Sequence, residues 1–212
     1  MTVLHHQSVV ILGVMNPAIH HPAWYHATSI ITQSELDESL QKPVVATPQV
    51  AQFATNGFSV VCLPDRWQVS CDTADGTRIV ALAKATFNKL EHTPVNAYGV
   101  NHDFHAETTK QVPSTLATVV RQTGLPFPPN EVATAAITYT AKVSGCTFKA
   151  VIAASPRGPN FLHVQNNAEF IIPQDETKHF DLGPLLDEAF RRNEDRSQSM
   201  LSSFVNAIQG LG

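Results

Sequence analysis

Ala133-Thr134-Ala135-Ala136-Ile137-Thr138-Tyr139-Thr140-Ala141-Lys142-Val143, then Ser144-Gly145, then Cys146-Thr147-Phe148-Lys149-Ala150-Val151-Ile152, is the stretch whose reading decides the fold. Ala133, Ala135, Ile137, Tyr139, Ala141 and Val143 alternate with Thr134, Thr138, Thr140 and Lys142, the period of a strand with one wet face in an antiparallel sheet. Ser144-Gly145 turns the chain, and Cys146, Phe148, Ala150 and Ile152 alternate on the return strand. Phe161 to Gln165 and Ala168 to Ile172 predict a further hairpin, turning at Asn166-Asn167, whose side chains tolerate left-handed backbone. The second half of the chain therefore reads as a four-stranded antiparallel meander. Beyond it Leu185, Leu186, Ala189 and Phe190, then Met200, Leu201, Phe204 and Ile208, lie at helical spacing. Arg191 to Gln198 between them is polar on every face. Two readings stay open: one helix with a solvated centre, or a break at Asn193-Glu194-Asp195.

Upstream, Leu125-Pro126-Phe127-Pro128-Pro129-Asn130 is a rigid irregular connector, and it divides the chain into halves 1–124 and 131–212 that share one core. Val9 to Val14 is apolar and reads as a strand, and Trp24 to Ile31 as a second. Thr32-Gln33-Ser34-Glu35 matches a capping box with Ile31 and Leu36 at the staple positions, so a short helix should run to about Gln41. Phe58 to Leu63 and Arg66 to Cys71 form a hairpin about Pro64-Asp65, which sets Leu63 opposite Arg66 and Cys62 opposite Trp67. Ile79, Leu82, Ala83, Phe87 and Leu90 make a helical stripe ended by Pro94. Val95 to His102 alternates as a strand, and Pro113-Ser114 opens another short helix. The first half is ββαβ in outline. The whole reads as an α+β protein, its antiparallel sheets packed by a long C-terminal helix. Trp67, Phe87, Tyr139, Phe148, Phe190 and Phe204 are its expected core aromatics.

The block Leu63-Pro64-Asp65-Arg66-Trp67 through Thr93-Pro94-Val95-Asn96-Ala97-Tyr98-Gly99-Val100-Asn101, together with Leu185, Phe190 and Phe204 of the last helix, resembles a sporadically distributed, functionally uncharacterised family of bacterial β-rich proteins that end in a long helix. The likeness covers about half the chain. It implies the fold and carries over no catalytic residue.

Charged residues are 15% of the 212, against roughly 25% in an ordinary soluble domain. With 14 basic residues and a net charge of -4, the chain has no electrostatic footprint for nucleic acid or anionic lipid. Three cysteines, Cys62, Cys71 and Cys146, are too few and odd in number for a secreted disulfide framework, which points to a reducing, cytoplasmic setting. No run reaches the roughly 18 apolar residues that span a bilayer. Neither Gly-x-Gly-x-x-Gly, nor Gly-x-x-x-x-Gly-Lys, nor a Gly-x-Ser-x-Gly elbow occurs, so no catalytic or cofactor-binding residue is expected.

Ten histidines raise a metal hypothesis, with His102, His105 and His26 as candidates. Strand period puts His102 and His105 on opposite faces, so a site would recruit further ligands among His163, Asp103 and Glu107. Asp37-Glu38 reads as solvated helix surface, and Arg191-Arg192 with Asp195-Arg196 as intrahelical ion pairs, a grip on an acidic partner being the other reading. Charge depletion and two unguarded sheet edges point to self-association or a stable protein partner. The sequence thus predicts a bacterial or phage protein that works by binding, as a homo-oligomer or a subunit of a larger assembly. The alternative is a metal-dependent enzyme built on a histidine cluster.

Overall fold

The computed structural model describes residues 2–73, 75–122, 135–143, 145–172 and 181–210. Its strands are β1 (Val3–Gly13), β2 (Val45–Ala46), β3 (Ala51–Ala54), β4 (Ser59–Leu63), β5 (Arg66–Cys71), β6 (Val95–Glu107), β7 (Ala136–Val143), β8 (Cys146–Ala154) and β9 (Phe161–Ile171). They join in one antiparallel sheet of nine, ordered β2-β3-β4-β5-β1-β6-β9-β8-β7. The helices are α1 (Pro22–Ala27), α2 (Gln33–Leu40), α3 (Thr77–Lys89), α4 (Val112–Gln122) and α5 (Leu182–Gly210). The fold is α+β with a long C-terminal helix, as the sequence predicts. The connector at 125–130 lies outside the described residues.

Several local signals act as read. Thr32 caps α2 by accepting from the Glu35 amide while the Glu35 carboxylate accepts from the Thr32 amide, a complete capping box. The β4–β5 hairpin pairs Leu63 with Arg66 and Cys62 with Trp67. Three expectations need correction. Trp24 to Ile31 is no strand: Pro22 presets the first turn of α1 and the His21 imidazole caps it, accepting from the Ala23 amide at 3.1 Å, and these outweigh the local aromatic content. Asn166-Asn167 is no turn, because both pair in mid-strand, with His102 and Asn101 of β6. The second half is consequently a meander of three strands, β7, β8 and β9. Strands β2 and β3 were not foreseen.

The core lies on one face of the sheet, under the helices. One cluster gathers Val9 and Ile11 of β1, Phe53, Val60, Trp67 and Val69 with Tyr25 of α1, α3, and Leu186 and Phe190 of α5. A second gathers Phe104, Ile152, Leu162 and Val164 with Val112 and Leu116 of α4 and Leu201, Val205 and Ile208 of α5. Of the expected core aromatics Trp67, Phe87, Phe148 and Phe190 are buried. Tyr139 and Phe204 are only half-buried.

A polar seam separates the two clusters. Gln7 of β1, His102 of β6 and Asn166 of β9 stand side by side in register and fully buried. Above them run Asn193 and Ser197 of α5, also fully buried. Asn166 Nδ2 donates to Asn193 Oδ1 at 2.8 Å and to Ser197 Oγ at 2.7 Å, and Asn193 Nδ2 donates to the Val100 carbonyl at 2.8 Å. So α5 is one helix without a break, and the inward side of its polar middle is satisfied by the sheet instead of by water. Gly76, ahead of α3, keeps this layer closed: a Cβ there would stand 2.1 Å from the Phe190 ring and 2.4 Å from Gln7 Oε1.

Cys62, Cys71 and Cys146 are free and buried. Burial pushes the Cys62 thiol up to about 12, so it is a poor nucleophile. A bulky maleimide is expected to label no cysteine in the native protein during the time in which the urea-unfolded chain takes up label at all three. A Cys62–Cys71 peptide in non-reduced mass spectra is the outcome that contradicts this hairpin register.

Candidate functional site

Strand period splits the histidines between two environments. His102 points into the core seam, where its Nδ1 shares a 3.0 Å hydrogen bond with His5 Nε2. Burial holds both rings neutral, with His5 lowered to about 4 and His102 to about 3. His105, an odd number of residues further on, points to the opposite, uncovered face. His26 lies elsewhere, on α1, in the lining of a cavity of about 590 Å³ with Ser29, Thr32, Glu35 and Arg78. In that cavity Arg78 is already engaged, donating to both Glu35 oxygens at 2.8 and 2.9 Å. His102, His105 and His26 therefore do not meet.

On the uncovered face His105 of β6 sits directly opposite His163 of β9, and Asp103 lies on the same side two residues before His105. His163 Nε2 donates to Asp103 Oδ1 at 2.7 Å, and His105 Nε2 lies 3.6 Å from the same oxygen. The two imidazoles are nearly parallel, 4.8 Å apart between centroids. His105 Nδ1 is fixed from behind by Ser155 Oγ at 2.8 Å, and that oxygen also accepts from the Arg157 amide. Burial alone would raise the Asp103 carboxyl. The hydrogen bond from His163 and the charges of His163, His105 and His6 outweigh it and hold Asp103 below the usual carboxylate range. Burial lowers His105, with Asp103 opposing and His163 and Arg157 assisting. Glu107 is exposed and falls outside this group of three.

The two edges of the sheet differ in kind. Strand β2 is two residues long, with Pro43 and Pro48 on either side, which leaves little backbone to pair. Strand β7 is eight residues long and pairs with β8 without a bulge, from Ala136 opposite Ala153 to Val143 opposite Cys146. Its outer backbone has no partner strand among the described residues, and its one charged side chain is Lys142. The second core cluster runs out to this edge and is left ajar there. Ile137, Tyr139, Met200 and Phe204 are all half-buried, and the Tyr139 hydroxyl donates to Met200 Sδ at 3.1 Å.

No family model matches the sequence, and no curated protein matches it. Among the described residues no helix is long and apolar enough to cross a membrane. Sequence reasoning named each member of the Asp103 cluster but did not bring the three together. Parity along β6 already places Asp103 and His105 on one face. That His163 stands beside them depends on the β6–β9 register, a pairing across more than fifty residues that no local pattern encodes.

Proposed function

We propose that the protein acts by binding, as an assembly of identical copies joined edge to edge through β7, and carries out no chemistry of its own. The observation that carries this reading is the contrast between a blunted β2 edge and a long, nearly uncharged β7 edge that has no partner strand among the described residues and lies beside half-buried apolar side chains. A second β7 running antiparallel extends the sheet and brings Tyr139, Met200 and Phe204 of each copy against those of the other. A stable interface needs about 1,000 Å² or more in total, which an eight-residue strand alone does not bury, so the α5 contacts are part of it. The low charge content fits the charge depletion of permanent interfaces. Three buried free thiols support a cytoplasmic location.

Light scattering on the untagged protein at micromolar concentration is expected to give at least twice the 23.1 kDa chain mass. Thr138→Lys combined with Thr140→Lys, both on the exposed side of β7, should reduce it to a monomer with little loss of thermal stability. Phe204→Asp tests the helical part of the same contact. A monomer mass at every concentration overturns the reading.

A further inference from the structure

We propose that Asp103, His105 and His163 form a binding site for one divalent first-row transition ion on the uncovered face of the sheet. One ligand atom from each of the three side chains already lies within 4.8 Å of the other two. Ligands sharing an ion at about 2.0–2.2 Å stand roughly 3.0–3.5 Å apart, so small side-chain rotations close the set. Asp103 Oδ1 already lies 2.7 Å and 3.6 Å from the two nitrogens.

Three features favour a built site over a chance cluster. The ligands project from β6 and β9, interior strands held on both sides, so their backbone positions are rigid. His105 carries the outer-shell partner usual for a metal-bound imidazole: with its proton on Nδ1 donated to Ser155 Oγ, the Nε2 lone pair faces the ion. Access is open but limited, since the side chains of His105, His163 and Asp103 retain 15%, 22% and 24% of their exposure.

Two imidazoles and one carboxylate select zinc, iron(II), cobalt or nickel over magnesium and calcium, which prefer all-oxygen shells. The ion takes the place now held by the proton between His163 Nε2 and Asp103 Oδ1. Three protein ligands leave the remaining coordination positions to water or an added ligand. The neighbouring titratable and charged groups are His6, hydrogen-bonded to Asp72, on the β1 side and Arg157 beyond Ser155. Protons compete for both imidazoles, so affinity should rise with pH.

Cobalt(II) and zinc titrations of the full untagged chain test the site by calorimetry and by the visible absorption of bound cobalt. One ion per chain is expected, with affinity lowered at least about 100-fold in Asp103→Asn and in His163→Gln, and about 10- to 100-fold in Ser155→Ala, which removes only the group orienting His105. His92→Gln, an exposed histidine away from the cluster, should bind as the parent does. Circular dichroism of each metal-free variant checks folding, and His163→Gln serves if Asp103→Asn does not fold. No stoichiometric binding by the parent chain, or binding that survives both ligand substitutions, overturns the proposal.

Discussion

Lowering the pH from about 7.5 to 5 is expected to remove about 4–6 kcal/mol of folding stability, through the buried histidines His5, His20 and His102. In the unfolded chain each imidazole takes up a proton near 6.5, whereas burial lowers His5 and His20 to about 4 and His102 to about 3. Above the unfolded value the rings are neutral in both states and the full stability is present. As the pH falls below it, the unfolded chain binds protons that the native one refuses, so stability declines until the folded values are reached. At pH 5 each ring contributes roughly 2 kcal/mol to that loss. The lower end of the range allows for His5 and His102 acting as one hydrogen-bonded pair. Around them stand Phe104, 4.1 Å from the His5 ring, and Phe190, 5.4 Å from His102. The Asp103 carboxylate favours the His5 cation too weakly to offset burial and the repulsion of His6. Urea midpoints at pH 7.5, 6 and 5 give the slope, and His102→Gln should make it shallower. Equal stability at all three overturns the assignment of neutral buried rings.

Trp67→Ala should cost about 5 kcal/mol and, for a chain of this length, about 10–20 °C in melting temperature. Trp67 is the largest fully buried side chain. Its ring meets Phe87 edge to face at 5.4 Å, and Nε1–H donates to the Tyr25 hydroxyl at 2.9 Å. That hydroxyl, already accepting from Trp67, passes its own proton to His20 Nδ1 at 2.7 Å. Truncation thus opens a cavity and also leaves the Tyr25–His20 pair without its third member. Trp67→Phe keeps most of the volume and loses only the donor, so it should cost about 1–3 kcal/mol. Thermal melts of the two variants separate the packing part from the hydrogen-bonded part, and equal losses contradict this division.

Local chemistry was the legible part of this fold. The Thr32–Glu35 capping box, the Pro64-Asp65 hairpin, the stripes of α3 and α4 and the alternation of β7 and β8 each rest on residues close in sequence. What escaped has a physical cause in each case. His5, His6, Gln7 and Ser8 are polar, so the first half of β1 has no apolar alternation, yet the strand is central and pairs on both sides. Asn166 reads as a turn residue because a buried asparagine makes sense only once Asn193 and Ser197 are known to lie above it. The polar middle of α5 and the misread centre of β9 are two sides of one seam, and neither explains itself alone. In α1, Pro22 and His21 were the available signal, and the aromatic Trp24-Tyr25 pair masked it. Of the Asp103–His105–His163 cluster, the Asp103–His105 half follows from strand parity, while His163 enters only through tertiary pairing.

The pairing of β1 with β6 also governs the order in which the molecule is completed. Val9 meets Val100 at the centre of the sheet, and nearly every residue between belongs to other elements. During vectorial synthesis β1 lies finished but unmatched on its β6 side until the whole of β2 to α3 has been made, and closing so large a loop is slow. Until then the histidine-rich segment that later forms the floor of the seam is open to water, chaperones and proteases. A nascent chain halted just before β6 should be a client of such factors, and the completed chain, with β9 paired and α5 over the seam, should not.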